Sequence, residues 1–246
     1  MFVTIQAHEY TKYSNILDQM FRLRKRTFFD TLNWNVSVSS EYEQDFYDRL
    51  NPVYLVWCSD DLERLYGCVR LMPTTGPTLL YDTFRATFPM SVNLVAPGIW
   101  EGTRMCIDEA AIATYFPDID AGRAFSLMLL ALCECALAHG VHTLISNYEP
   151  QLKRVYRRAG IDVDELGRAD GYGKHPVCCG AFEVSHRVLA KLRATLGVDT
   201  PLYRRIIPPL GGASDVSVAA WSSGCEEPGV PAWRSLSGMI LSDIGQ

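Results

Sequence analysis

Three arginines stand where the sequence otherwise asks for burial. Arg24 lies in a helically periodic apolar stretch just ahead of Phe28, Arg70 lies inside the strand-like run "CVRLMP", and Arg104 follows Glu101 by three residues in "WEGTRMCID". Asp45 and Asp48 fall between the first two, with Trp34 a short way before them. Singly, each has an ordinary explanation. Arg24 could sit on a solvated helix face beside Arg22, Lys25 and Arg26, the aspartates could cap a turn, and Arg70 could snorkel from a strand end. Glu101 and Arg104 could form a structural ion pair. Together they suit a small zwitterion with a carboxylate, an ammonium and a flat ring. Guanidinium holds carboxylate through paired, charge-assisted hydrogen bonds. Aspartate holds ammonium, and an aromatic face holds a sulfonium or an adenine.

The elements that must position these groups follow from periodicity and punctuation. "FVTIQ" reads as a first strand and residues 8–29 as a helix, with Tyr13, Leu17, Met20, Phe21, Arg24 and Phe28 at helical spacing. Residues 31–52 show no sustained period and read as a long loop of the kind that often carries function. "VYLVWC" and "RLYGCVRLMP" read as a hairpin, "TLLYDTFRATFP" as a short helix and "GIWEGTRMCID" as a strand. Residues 121–139 form the longest helix, apolar nearly all round and therefore central, stopped by Gly140. "HTLISN" is a strand, "EPQLKRVYRRAG" a helix ended by Gly160, "IDVDELG" and "VCCGAFEVS" two more strands, and "SHRVLAKLRATLG" a last helix. The fold class is α/β, one mixed central sheet flanked by helices. Residues 1–210 form the domain, and from 211 to 246 a Gly-, Pro- and Ser-rich composition without period reads as a flexible tail.

In an ideal strand, residues three apart point to opposite faces. Glu101 and Arg104 can serve one pocket only if a bulge re-aims one of them, and Gly102 between them would permit it.

Bulk properties bound the function. A chain of 246 residues, 48% hydrophobic with net charge −5, offers no general basic field for nucleic acid. "MFVTIQAHEY" lacks a signal peptide's pattern, and the apolar run at 124–138 carries Glu134, so a buried helix is expected rather than a membrane span. The eight cysteines make no C-x-x-C pair and read as reduced core residues of a cytoplasmic protein. No metal-ligand cluster is visible.

The set R-x3-F-x5-W, D-x2-D, R-L and E-x2-R, carried by Arg24, Phe28, Trp34, Asp45, Asp48, Arg70, Glu101 and Arg104, resembles the acyl-homoserine-lactone synthases, the LuxI-type autoinducer synthases of quorum sensing. The resemblance spans about residues 1–200 and leaves out the tail. It departs at Met105, where the family more often has Phe. It implies a fold similar to the GCN5-related N-acetyltransferases and a reaction that joins an acyl thioester to the amine of S-adenosylmethionine. The methionine carboxylate then closes a lactone and expels methylthioadenosine. S-adenosylmethionine is a substrate, and no cofactor is implied. By the resemblance, Arg24, Phe28, Trp34, Asp45, Asp48 and Arg104 shape its site, with Arg70, Glu101 and Arg104 as the catalytic polar centre. Glu101 would assist deprotonation directly or through a water. Backbone N–H groups where strands splay would hold the oxyanion.

The helix at 121–139 and "HTLISN" should line an acyl pocket through Met105, Met128, Leu129, Thr143, Ile145 and Ser146. Within the family a Thr like Thr143 accompanies 3-oxo acyl groups, though an ordinary β-branched strand residue explains it equally. Lys153, Arg154, Arg157 and Arg158 form a basic face suited to an acidic acyl-carrier protein. Acyl-coenzyme A is the other donor, but the acetyltransferase pyrophosphate loop is missing from "DIDAGRAF". The competing readings are an acyl-coenzyme A N-acyltransferase acting on another amine, which leaves the Arg, Phe, Trp and Asp set unexplained, and a non-catalytic sensor.

Overall fold

In β5 (Leu65–Pro73), consecutive side chains enter opposite layers, as strand geometry requires. Val69 and Leu71 join one apolar cluster with Met128, Leu130 and Ala131, while Cys68 joins another with Ile16, Met20 and Leu23. Arg70, two residues on from Cys68, therefore faces the second layer. The computed structural model describes residues 1–204. Its seven-stranded sheet runs β1-β4-β5-β6-β7-β9-β8. These strands are Phe2–Ile5, Val53–Cys58, Leu65–Pro73, Ile99–Ile107, Thr143–Tyr148, Val177–Glu183 and Val163–Ala169. Neighbours are antiparallel except β6 and β7. Helix α1 (Ser14–Arg24) covers one face; α4 (Ala121–Ala138) and α6 (His186–Leu196) cover the other.

Two expectations are corrected near the site. The helix expected over 8–29 is broken into a 3-10 turn (Ala7–Glu9), α1 and a π-helical stretch (Lys25–Thr31). Such widened turns recur at functional sites, and this one carries Phe28. The loop expected over 31–52 holds a small hairpin, β2 (Val38–Ser39) with β3 (Tyr42–Glu43), and a 3-10 turn at Phe46–Arg49. That turn is set by a capping box. Asp45 accepts from the Tyr47 N–H at 2.9 Å, and Asp48 accepts from the Asp45 N–H at 2.8 Å. A further helix, α3 (Glu109–Tyr115), was not anticipated; Asp108 caps it.

Helix α4 is long and apolar enough to cross a membrane, but 67% of it is buried inside the protein. Its one internal carboxylate, Glu134, pairs with Arg193 at 2.8 Å and accepts from the backbone N–H groups of Leu202 and Tyr203. The seven cysteines in the described region are free and buried. Cys225 and the boundary expected at residue 210 lie outside the described residues.

Candidate active site

Arg24, Arg70 and Arg104 converge on one face of the sheet, and each bridges two carboxylates. Arg24 pairs with Glu43 at 2.6 Å and Asp48 at 2.8 Å. Arg70 pairs with Asp48 at 3.0 Å and Asp45 at 2.5 Å. Arg104 pairs with Asp45 at 3.1 Å and Glu43 at 3.0 Å. The six groups close a ring of alternating charge. Buried charges persist only when paired and hydrogen-bonded, and here every member has two partners. Burial disfavours the charge on Asp48, but the hydrogen bonds and charge of Arg24 and the charge of Arg70 outweigh it and hold its carboxyl below the usual range.

Glu43 was missed by sequence reasoning. Asp45, Asp48 and Glu101 already balanced the three arginines in number, so the charge count gave no signal for it; the third ring carboxylate is Glu43 because Glu101 is held apart by backbone N–H groups. The side chains of Arg24 and Glu43 are 0% exposed and that of Arg70 is 1%, whereas those of Asp45 and Arg104 are 11% and 12% exposed. The ring therefore has an inner, framing part and an outer edge, Asp45 with Arg104, that meets solvent.

Strand β6 brings Arg104 to this face through a bulge. Cys106 is in register with Cys68 and Thr103 with Arg70, so Arg104 and Met105 together stand opposite Val69. Arg104 is the residue with the turned backbone, at φ +56°. A non-glycine residue there costs about 1–2 kcal/mol, offset by its two ion pairs. The bulge does not use Gly102, whose φ is not positive. Glu101, in register with Met72, thus shares a face with Arg104 but is held separately. Its carboxylate accepts from the N–H groups of Leu79 at 3.1 Å and Leu80 at 2.7 Å, at the start of α2 (Leu79–Asp82). Burial raises its pKa from 4.5 to about 7, against the lowering effects of those N–H groups and of Arg70 and Arg104. A carboxyl poised there can exchange a proton near neutrality.

Phe28 stacks on Trp34 with ring centroids 5.2 Å apart, and the Arg104 guanidinium lies 5.5 Å from the Phe28 ring centre. The Trp34 indole N–H donates to Glu149 at 3.3 Å, joining this aromatic pair to the residue just beyond β7.

The opposite face of β6 borders a cavity. The β6–β7 ladder lasts three positions, ending at Glu101 with Ile145, and the strands then part. The cavity there encloses about 610 Å³ of empty space, part of it open to solvent. It is apolar, with Leu132, Tyr156, Phe182 and Leu192 among its walls. Of the residues expected there, Met105, Leu129, Ile145 and Ser146 line it. Met128 and Thr143 are not among its lining residues. Met128 is wholly buried beside Gly67, and the wholly buried Thr143 has its hydroxyl 3.0 Å from the His142 ring. On α5 (Leu152–Arg158), Arg154, Arg157 and Arg158 are exposed, while Lys153 is half-buried and paired with Glu165 at 3.1 Å.

Residues 8–192 match the model of the autoinducer synthase family. The chain is 38% identical over 182 residues to an acyl-homoserine-lactone synthase of Rhizobium etli, covering 73% of this chain and 82% of that one. It is 32% identical over 172 residues to another from Agrobacterium fabrum, covering 70% and 80%. Among solved structures it is similar to the acyl-homoserine lactone synthase LasI, with TM-score 0.66 and 25% identity over 80% of this chain and 93% of that one. It also shares the fold of the CoA-dependent acyl-homoserine lactone synthase BjaI, solved with SAM and isopentyl-CoA, with TM-score 0.72 and 24% identity over 85% and 95%.

Proposed function

Because the chain belongs to the autoinducer synthase family, we propose that β6 divides the synthesis of an acyl-homoserine lactone between its two faces. The protein is an acyltransferase, an acyl-homoserine-lactone synthase. S-adenosylmethionine takes the charged face. Its carboxylate meets Arg104 and its ammonium Asp45, the two ring members with exposed surface. The sulfonium and adenine lie against Trp34, backed by Phe28. Arg24 and Arg70 do not touch the substrate; they fix the carboxylates that aim Arg104. The acyl chain takes the apolar face, in the cavity between β6, β7 and α4.

The two substrates meet where β6 and β7 part, at Glu101. An α-amino group has a pKa of about 7.7–8.0. A carboxylate at 4.5 would be a poor acceptor for its proton, whereas one raised to about 7 is nearly matched. Glu101 takes the proton directly or through one water, and the free amine attacks the thioester carbon. Backbone N–H groups left unpaired by the splay hold the oxyanion. Collapse breaks the C–S bond, the attacking nitrogen gives its second proton to the departing thiolate, which leaves as the thiol, and Glu101 returns the first proton to solvent. The methionine carboxylate oxygen then attacks its own γ-carbon, the bond to the sulfonium breaks and methylthioadenosine departs. Orientation supplies most of that intramolecular step.

Acyl-carrier protein is the favoured donor over acyl-coenzyme A. The exposed arginines of α5 suit an acidic carrier, and at the start of α4 Asp120 already accepts the Arg123 N–H at 2.7 Å, which sets a carboxylate where a pyrophosphate would need N–H groups. Ser146, not Thr143, brings a hydroxyl to the acyl cavity. The reading places the enzyme in the cytoplasm, in keeping with its free, buried thiols.

The observation that carries this reading is one strand with a neutral charge ring on one face and an apolar cavity on the other, joined at a buried glutamate. Purified protein given S-adenosylmethionine and panels of acyl-carrier-protein and coenzyme A thioesters should yield an acyl-homoserine lactone with methylthioadenosine. An acylated amine without methylthioadenosine would point instead to a plain N-acyltransferase.

A further inference from the structure

Glu101 and Ile145 are the last β6 and β7 residues in register, so Gly102 and Ser146 are the first beyond the ladder. Both line the cavity. They stand next to Glu101 and Ile145, and on the proposed function the first carbons of the acyl chain run past them toward the thioester carbonyl.

The chain itself does not require a glycine at 102. Its φ is not positive, and a Cβ built there meets nothing closer than Leu71 Cδ2 at 3.8 Å and Val69 Cγ2 at 3.9 Å, ordinary contact distances. Other strand glycines differ. A Cβ on Gly67 would lie 3.0 Å from the Cys106 carbonyl oxygen, and one on Gly180 would lie 2.6 Å from the Tyr148 ring. Those two are demanded by packing. Glycine inside a strand weakens it and often marks close approach of a ligand. With neither a turn nor a neighbour to explain Gly102, the space it leaves belongs to the substrate.

We propose that Gly102 determines acyl specificity by keeping this passage wide, so that the enzyme accepts acyl groups branched at the second or third carbon, which a side chain here would exclude. The inference rests on the lactone-synthase reading and narrows its substrate class. The test compares wild type, Gly102→Ala and Gly102→Val on two thioesters of one carrier with equal carbon number, pentanoyl and 3-methylbutanoyl, following lactone and methylthioadenosine. Wild type should use the two with kcat/KM values within about tenfold. The valine variant should lose the branched substrate at least about tenfold more than the straight one, with alanine between. The KM for S-adenosylmethionine should hold, and the thermal midpoint of the alanine variant should not fall, because nothing crowds the new Cβ. An unchanged branched-to-straight ratio in both folded variants overturns the proposal, as does a wild type that already rejects the branched chain as strongly as the valine variant. If wild type makes no lactone from any thioester in the donor panels, the underlying reading fails instead. Lactone from wild type with an unaltered ratio sinks the role of Gly102 alone.

Discussion

Replacing Glu101 with glutamine separates two opposed contributions. The carboxylate accepts from Leu79 at 3.1 Å and Leu80 at 2.7 Å. A carboxamide has one oxygen, so one buried backbone N–H would face an NH2 group, costing about 1–3 kcal/mol at any pH. Ionisation acts the other way. Burial raises Glu101 from 4.5 to about 7, so the unfolded chain loses its proton first. Folding stability therefore declines as pH climbs from 4.5 to about 7 and is flat above that, as far as this group is concerned. Between pH 5 and pH 8 the linkage amounts to about 2.5 kcal/mol, and glutamine escapes it. Wild type should thus be the more stable protein at pH 5, with its advantage shrinking by about 2.5 kcal/mol by pH 8 and closing or reversing. Urea melts of both proteins at the two pH values measure this. In turnover, loss of a general base costs about 10²–10⁴-fold in kcat, with the KM for S-adenosylmethionine moving less. The wild-type rate should rise with pH through a midpoint of about 7 that the variant lacks. A variant that keeps kcat within about tenfold rejects the base role, and a stability gap that does not change with pH rejects the raised pKa.

Glu43→Gln should destabilise the fold by about 3–5 kcal/mol in a denaturant melt, because it strips one partner from both Arg24 and Arg104 inside the protein. Arg104→Lys keeps the charge but cannot span Glu43 and Asp45 as a guanidinium does; steady-state kinetics should show the KM for S-adenosylmethionine up by about tenfold or more, worth about 1.4 kcal/mol of binding. Reversing Arg154, Arg157 and Arg158 to Glu should raise the KM for acyl-carrier-protein donors in a salt-dependent way and leave a short acyl-pantetheine donor untouched; equal effects on both donors would place the carrier elsewhere.

Legibility followed the range of the signal. The strands and long helices were readable because burial imposes periods of two and 3.6 on their residues, and the α4 apolar run with its Gly140 stop is a clear instance. The ring was half readable. Its arginines and aspartates stood out as charges in apolar or aperiodic context, but Glu43 sits in a two-residue strand whose pairing gives no periodic trace. The bulge was foreseen from parity and misplaced onto Gly102, since sequence cannot show that ion pairs to Glu43 and Asp45 stabilise Arg104 in a conformation glycine would normally take. Thr143, expected at the acyl cavity, is not among its lining residues. Strand alternation says which residues share a face, but not how far along a parallel pair a cavity reaches, and this one is lined by Leu144, Ile145 and Ser146.

Arg104 is an insertion in all but name. Without it, Thr103 opposite Arg70, Met105 opposite Val69 and Cys106 opposite Cys68 would form one unbroken ladder. Glu43 would still have Arg24, and Asp45 would still have Arg70. The strand pairing can therefore spare this residue, at the cost of one partner each for Glu43 and Asp45, and the residue proposed to meet the substrate carboxylate is one the ladder itself does not need. A chain lacking only Arg104 should fold, and it should be silent.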